Sequence, residues 1–397
     1  MGGPLQNQRV FHIELESLRG AAAFSVMMLH IILVCLYWGV GDNPVTAYQQ
    51  LPGDVFAVTQ AGIALFNGRS AVTLFFVLSA FVLSANITRA DLTPVSYAEF
   101  VTRRLFRIIP ALWVALAFAL IVLPQQRGLM DLVKVFALLD VSVIPVTWTL
   151  VLELAACLVF PLMLVAVRQM GMVAQLCALL LICWIMRYAP PPVHYGQVFY
   201  DLPLNAFYLG LIVPTIGRAL VVALPLAIAR VLLAIALLIY ATPDLLRTLA
   251  ALKPDLIANP GLLIEVYVMK IALPLASWYV VAWVLYGEHR LGSAILNSRP
   301  LRFLGRTSYS LYVLHPPLLA LFAAHLGAHA VGPYSRLGLG MATVIPITLV
   351  LSALSYTYVE RPGIAAGKRL IAWTRGATTA FVGRARLAGG ETPEPSQ

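Results

Sequence analysis

Long apolar runs constrain this chain more than any other feature of its sequence. Two of them, ALVVALPLAIARVLLAIALLIYA from Ala219 and LGLGMATVIPITLVLSALSYTYV from Leu337, are long enough to cross a hydrocarbon core as helices. Within a bilayer the backbone polar groups must pair inside the protein, which favours helices. Only 11% of the residues are charged, too few to cover a water-facing surface. The sequence therefore predicts an all-α, polytopic integral membrane helical bundle.

We expect about ten transmembrane helices, counted as apolar segments of roughly 20 residues. No polar block between them is large enough to fold separately, so one membrane domain over residues 18–362 is predicted. Residues 1–17 and 363–397 are expected to be cytoplasmic, and the final GGETPEPSQ is typical of disorder. The predicted spans cover residues 18–40, 69–88, 108–124, 147–167, 172–187, 203–217, 219–241, 261–286, 307–327 and 338–359.

The net charge of +10 indicates topology rather than a nucleic-acid partner, because the basic residues lie between spans and not on a folded polar module. Most of the 27 lysines and arginines fall on the side of the membrane that holds the N-terminus. The positive-inside rule identifies this side as the cytoplasm. An even number of spans then places both termini in the cytoplasm. We expect the chain to lie in the cell's inner (plasma) membrane. Charged residues precede the first span and no small-residue cleavage site follows it closely, so we expect that span to be retained.

The four cysteines, Cys35, Cys157, Cys177 and Cys183, all lie within apolar runs. A free thiol in such a setting behaves as a small hydrophobic group. No pair has the spacing of metal ligands or the hydrophilic loop setting of a disulfide. We therefore expect no metal site, and the redox compartment stays open.

Ionisable residues at membrane depth are costly and mark candidate functional sites. Arg19 and His30 lie eleven residues apart on the first span. That spacing returns to nearly the same helix face after a rise of about 16 Å, which suits a long ligand lying along the helix. The structural alternative is that Arg19 reaches the headgroups and His30 bonds a neighbouring helix.

Glu153 follows the start of the fourth span and is expected at a depth similar to that of His30. A hydrogen bond between this carboxylate and the imidazole would fix the histidine tautomer and raise its basicity. Such a base and its orienting group are used in acyl transfer. The sequence thus predicts Arg19, His30 and Glu153 as catalytic candidates.

Three arginines, Arg103, Arg104 and Arg107, immediately precede the third predicted span in FVTRRLFRIIP. Guanidinium groups at helical spacing form a positive surface that binds phosphates. An ordinary topology signal or contact with anionic lipid is the alternative. In SYSLYVLHPP, Tyr309, Tyr312 and His315 are interpreted as packing and helix-bending residues rather than chemical ones, since the adjacent proline needs local support.

Six phrases, in order from Leu15 to Pro362, together resemble the membrane-bound acyltransferase-3 family of bacterial and eukaryotic O-acyltransferases. LESLRGAAAFSVMMLH resembles the family's opening arginine and histidine, and TLFFVLSAFVLS its second span. FVTRRLFRIIP resembles its arginine-rich approach to the third span, and WTLVLE its tryptophan-serine-leucine phrase ending in glutamate. LGRTSYSLYVLHPP and SYTYVERP resemble its last two spans.

The resemblance implies a cytoplasmic acyl-CoA donor, with acetyl-CoA expected, and a hydroxylated acceptor that is a carbohydrate, a glycolipid or another metabolite. Arg103, Arg104 and Arg107 would hold the donor phosphates, while His30 acts directly or through an acyl-histidine. The chain departs from the family at Thr73, Ala80 and Leu154, where aspartate, glycine and a second acidic residue are common. Since the sequence ends soon after the last predicted span, we expect no esterase-like domain of the kind that some relatives carry.

Two other classes of function remain open at this stage. Buried histidine, glutamate and arginine also build proton relays, so a transporter or proton-coupled flippase is the main alternative. Transport would favour inverted repeats with paired broken helices, which the sequence does not display. A non-catalytic scaffold that binds membrane lipids is the third option. The acceptor, the acyl length and the oligomeric state stay open.

Overall fold

The computed structural model describes residues 4–40, 43–86, 93–123, 127–187, 193–195, 198–200, 203–256, 259, 261–288 and 290–388. They fold into a bundle of helices, with one hairpin and three π-helical segments. The π-helical segments are Val213–Gly217, Gly261–Ala272 and Tyr356–Glu360. The helices are α1 (Pro4–Leu36), α2 (Pro44–Gln50), α3 (Gly53–Leu65), α4 (Gly68–Asn86), α5 (Pro94–Val122), α6 (Leu129–Phe136), α7 (Trp148–Gln169), α8 (Met172–Arg187), α9 (Leu204–Ile212), α10 (Arg218–Ala223), α11 (Leu226–Ala241), α12 (Pro243–Leu252), α13 (Leu273–Tyr286), α14 (Arg290–Leu296), α15 (Arg299–His325), α16 (Pro333–Ser355) and α17 (Arg361–Ala388).

Within the described residues, seven helical stretches are long and apolar enough to cross a membrane. The number becomes eight if α11 and α12, which meet at a 52° bend, form one span. The polytopic helical bundle is confirmed, whereas the expected count of ten is not. Of the predicted spans, 172–187 corresponds to α8, which is short. The span 307–327 lies mostly in α15, which ends at His325 and carries many polar side chains. The qualifying stretches are Ile13–Leu36, Gly53–Ser84, Pro94–Val122, Pro145–Gln169, Leu204–Ala223, Tyr267–Tyr286 and Pro333–Arg375.

Several predicted boundaries fall inside continuous elements. Helix α1 begins at Pro4 and runs across the expected limit at 17/18, and α17 runs across the limit at 362/363. The tail over residues 389–397, expected to be disordered, lies outside the described part of the chain. The antiparallel strands β1 (Val193–Tyr195) and β2 (Val198–Tyr200) form a hairpin between two helices, which leaves the all-α class unchanged.

Helix α1 lies at the centre of the bundle and packs most extensively against α15. Two glycines permit this contact: a Cβ added at Gly20 would lie 2.2 Å from the backbone nitrogen of Gly305. A Cβ at Gly305 would in turn lie 2.6 Å from the carbonyl oxygen of Glu16. Because backbone touches backbone here, side chains further along α1 and α15 also come within hydrogen-bonding distance. The helices run in the same direction, since contacts advance along both chains together.

Candidate active site

A cleft of about 660 Å³, including its open mouth, lies between α1, α4, α5, α7 and α15. Arginines, one carboxylate and several hydroxyls share it with apolar and aromatic walls. It therefore offers charged groups for an anion beside surfaces for an uncharged chain. The lining residues are Arg19, Phe75, Phe76, Ser79, Arg104, Arg107, Ile108, Thr149, Leu150, Glu153, Ser308, Tyr309 and Tyr312.

The arginines that sequence analysis placed at helical spacing just before the third span lie inside α5, which begins at Pro94. Thr93 caps that helix by accepting a hydrogen bond from the backbone of Ser96 at 3.1 Å, and the helix begins one residue later. Arg104 and Arg107, one turn apart, both line the cleft. Their positions bring positive charge into the bundle instead of leaving it at the boundary.

Arg103 lies outside the cleft lining, although it is adjacent in sequence to Arg104. Its side chain is 51% exposed and lies 3.5 Å from Glu99, four residues earlier on the same helix. The buried Glu99 also forms an ion pair with Arg375 of α17. The structure thus separates the three arginines that were grouped by sequence: Glu99 draws Arg103 to the α17 side of α5.

Arg104, Ser79 and Glu153 form one polar network that joins three helices. Arg104 pairs with Glu153 and donates a hydrogen bond to the Ser79 hydroxyl at 3.1 Å. Ser79 donates in turn to Glu153. The two charged side chains are only 11% and 19% exposed, so their mutual neutralisation removes much of the cost of burying either. The Arg104 Nε atom is buried without a hydrogen-bond partner in the described structure.

The other two cleft arginines make no ion pair with a described carboxylate. Arg19 donates to the Ser308 hydroxyl at 3.1 Å, and Arg107 makes no hydrogen bond to a described residue. The buried carboxylate of Glu360 interacts with both electrostatically. Glu360 itself accepts hydrogen bonds from the backbone and the hydroxyl of Ser310, because the π-helical segment that it ends turns it toward α15. The cleft is therefore a partly neutralised cationic site.

His30 lies beyond the cleft lining and contacts His315 of α15. Its Nδ1 atom is 2.9 Å from Nε2 of His315, which is fully buried. Tyr312 connects this pair to the cleft: its ring packs edge-on against His315 with centroids 6.0 Å apart. The Tyr312 hydroxyl lies 3.3 Å from the Thr149 hydroxyl on the cleft wall. One aromatic side chain thus separates the imidazole pair from the cationic cleft.

The expected hydrogen bond between His30 and Glu153 does not form: each of these side chains has another partner. Sequence reasoning also missed Ser79 and Ser308, and it assigned His315 to packing alone. A helical-face pattern could have indicated the α15 residues, because Ser308, Tyr312 and His315 are spaced i, i+4 and i+7 and so share one face. Nothing comparable in the local sequence singles out Ser79.

The arrangement can bind a polyanion at one end and hold an imidazole at the other. In the residues that the structure describes, no group of three or more His, Cys, Asp or Glu side chains is arranged to hold a metal ion. All four cysteines are free thiols. The side chains that line the cleft and the histidine pair offer charge binding, hydroxyl hydrogen bonds and proton transfer.

Comparison with known proteins gives one family match. The model of the acyltransferase-3 family, described as an acyltransferase domain, matches residues 12–357. This range includes every lining residue of the cleft as well as His30 and His315. No curated protein and no solved structure matches the chain significantly.

Proposed function

This chain belongs to the acyltransferase-3 family, and from that premise we propose that it moves an acyl group, which we expect to be acetyl, from cytoplasmic acyl-CoA to a hydroxyl. The acceptor is a carbohydrate, a glycolipid or another hydroxylated molecule. Family membership makes the chain a membrane acyltransferase. The nature of the donor and of the acceptor is our proposal.

The cationic cleft is the observation that carries the proposal for the donor. Arg19 and Arg107 form no ion pair with a carboxylate among the described residues, and the buried Glu360 carboxylate neutralises their charge only in part. Phosphates of a bound donor would supply the missing negative charge through charge-assisted hydrogen bonds. Arg104 would contribute its unpartnered Nε atom. We leave Arg103 out of the proposed donor site, because it does not line the cleft.

The acyl end of the donor would extend from Arg19 along α1 toward His30, over about 16 Å of helix rise. The apolar and aromatic wall that includes Phe75 and Tyr312 suits the uncharged arm of the donor. His30 would remove the proton from the acceptor hydroxyl as that oxygen attacks the thioester carbonyl. The thiolate that leaves takes up the proton, so the donor is released as a thiol.

Glu153 is placed in the cleft and not beside His30, which favours a role in binding the acceptor. Its carboxylate and the Ser79 hydroxyl can bond further hydroxyl groups once Arg104 turns to a phosphate. In this proposal the donor's entry rearranges the Arg104 and Glu153 pair. In this proposal the protein lies in the cell's inner membrane. The arginine-rich side of the bundle faces the cytoplasm, where the donor is available.

The proposal is tested with the purified protein in liposomes, acyl-labelled acetyl-CoA and extracts of cell-envelope glycans and lipids as acceptors. Transfer of label should be abolished in His30→Ala and kept in His329→Ala, a matched change at an exposed histidine. Both variants should remain folded, with a cooperative thermal unfolding transition, although His30→Ala should unfold at a somewhat lower temperature because it leaves Nε2 of the buried His315 unpaired. Normal transfer by the first variant would refute the mechanism, and solute uptake without label transfer would indicate a transporter.

A second measurement identifies the acceptor. Mass analysis of envelope glycans and lipids from cells with and without the protein should show a difference of one acyl group on the acceptor. Identical masses for every class would contradict the proposed function in that cell.

A further inference from the structure

The buried histidine pair contains a second imidazole to which the proposed mechanism gives no role. His315 has no solvent exposure and lies on α15 immediately before Pro316 and Pro317. Its Nδ1 atom is 3.0 Å from the carbonyl oxygen of Leu311, and its Nε2 atom is 2.9 Å from Nδ1 of His30. Both ring nitrogens are therefore engaged, although nothing in packing alone requires it.

The two rings meet through their nitrogens and not face to face. Their planes differ by 26° and their centroids are 5.2 Å apart, while the facing nitrogens of His30 and His315 are only 2.9 Å apart. The nitrogens thus lie between the centroids, which is the geometry of an in-plane hydrogen bond. Such a bond needs a proton on one nitrogen and a lone pair on the other.

The Leu311 carbonyl decides which nitrogen holds that proton. A carbonyl oxygen only accepts, so Nδ1 of His315 must carry a hydrogen and donate it. In a neutral imidazole the remaining nitrogen, Nε2, is then an acceptor. His30 must therefore donate from Nδ1, which leaves the lone pair on its own Nε2 atom. That atom makes no hydrogen bond to a described residue.

We propose that His315 is a positioning residue that holds His30 in the Nδ1-protonated tautomer and so presents Nε2 of His30 as the base. The inference rests on the proposed function, since it concerns the base of that reaction. It replaces the orienting role that sequence reasoning had assigned to Glu153, whose carboxylate is held by Arg104 and Ser79.

The pair also supports the charged state of the reaction. When Nε2 of His30 takes the acceptor's proton, the ring becomes a cation and its hydrogen bond to His315 becomes charge-assisted, hence stronger. The acceptor oxygen meanwhile forms its bond to the thioester carbon and the bond from carbon to sulfur breaks. The proton then passes from Nε2 to the leaving thiolate, which restores the neutral pair. His315 gains and loses no proton in this cycle.

The site of the proton is measured directly by nitrogen-15 NMR of histidine-labelled protein in nanodiscs, with the His30 signal assigned by its loss in His30→Asn. The wild type should show His30 protonated on Nδ1, and His315→Phe should abolish that preference. Protonation on Nε2 in the wild type would overturn the inference. This readout needs no turnover, so it is independent of the proposed activity.

Kinetics supply the second test. His315→Phe should lower kcat by about 10²-fold, a typical contribution of a positioned base, with KM for acyl-CoA within about twofold. His315→Asn, whose amide oxygen can accept a hydrogen bond, should recover part of the loss. His325→Phe, at an exposed position of the same helix, is the matched control and should retain full activity.

The outcomes separate the two claims. If His30→Ala abolishes transfer while His315→Phe retains wild-type kcat, the proposed function stands and the positioning role is refuted. Transfer that persists in His30→Ala overturns the function itself. Equal losses in the Asn and Phe variants would show that His315 acts by packing, which would also refute the inference.

Discussion

Arg107 and Arg103 are neighbours on one face of α5, four residues apart, yet their surroundings differ. Arg107 lines the cleft without a hydrogen bond to any described residue, whereas Arg103 is half exposed beside Glu99. Hydrogen bonds to charged groups contribute about 1.5 to 3 kcal/mol. Arg107→Gln should therefore raise KM for acyl-CoA by about tenfold or more. Arg103→Gln is the control, and initial-rate kinetics showing equal effects of the two changes would contradict the proposed donor site.

Replacing Glu153 should strengthen donor binding, which is the opposite of the effect expected for Arg107. Its carboxylate is the internal anion that occupies Arg104 in the empty cleft. Glu153→Gln removes that competitor, so binding of coenzyme A should become tighter by several-fold while acyl transfer falls. Isothermal titration calorimetry measures the binding. Glu99→Gln, at a carboxylate on α5 outside the cleft, should leave binding unchanged, and weaker binding by the Glu153 variant would count against donor entry at Arg104.

The residue types of the site were predictable from the sequence, but their partners were not. Arg19, Arg104, Arg107 and Glu153 stand out because charge is rare in apolar segments, and the structure brings all four to one cleft. Partner choice depends on helix rotation and depth, which no local pattern encodes. The sequence therefore predicted a hydrogen bond between His30 and Glu153, whereas in the structure α15 brings His315 to His30.

Among the helices, the close contact between α1 and α15 holds Arg19 and His30 beside their partners on α15. A Cβ at Gly305 would lie 2.6 Å from the Glu16 backbone, so Gly305→Ala must push the helices apart. Overpacking of this kind costs about 1 to 3 kcal/mol. We expect a lower unfolding temperature in detergent and reduced acyl transfer, because both Arg19 and His30 would lose their α15 partners.

Gly338→Ala supplies the control for that change, since a Cβ at this position of α16 meets nothing within 4 Å. It should leave the unfolding temperature unchanged or raise it slightly, as alanine favours helix over glycine. If both variants unfold at the wild-type temperature, the close approach of α1 and α15 does not limit stability.

Long apolar helices were the most predictable elements, and polar or irregular ones the least. Helix α15 is recognised poorly by hydropathy because it is buried by protein, with Ser308, Ser310 and His315 inside. The π-helical segment that turns Glu360 inward has no clear sequence signal. Helix α3 was missed as well, since the predicted second span began only at residue 69.

At the scale of the whole molecule, we predict that both ends of the chain lie on one side of the membrane. Glu14 of α1 accepts a hydrogen bond from Asn297, just before α15, and Arg375 of α17 pairs with Glu99 near the start of α5. Green fluorescent protein fused at either terminus should fluoresce, and alkaline phosphatase there should be inactive, because both termini are predicted to be cytoplasmic. A phosphatase inserted after Leu252, on the predicted outer side, should be active. The reverse pattern would overturn the orientation and the cytoplasmic donor together.

Arg19 and His30 belong to one continuous helix, so about 16 Å separates them regardless of how the neighbouring helices move. In the proposed mechanism, a donor whose charged head is held at Arg19 must present its reactive carbonyl about 16 Å away, at His30. Contacts remote from the reacting bond then align it, and a fragment without the head loses that alignment. The protein would thereby select donors by their length, independently of their charge and of the acyl group that they carry.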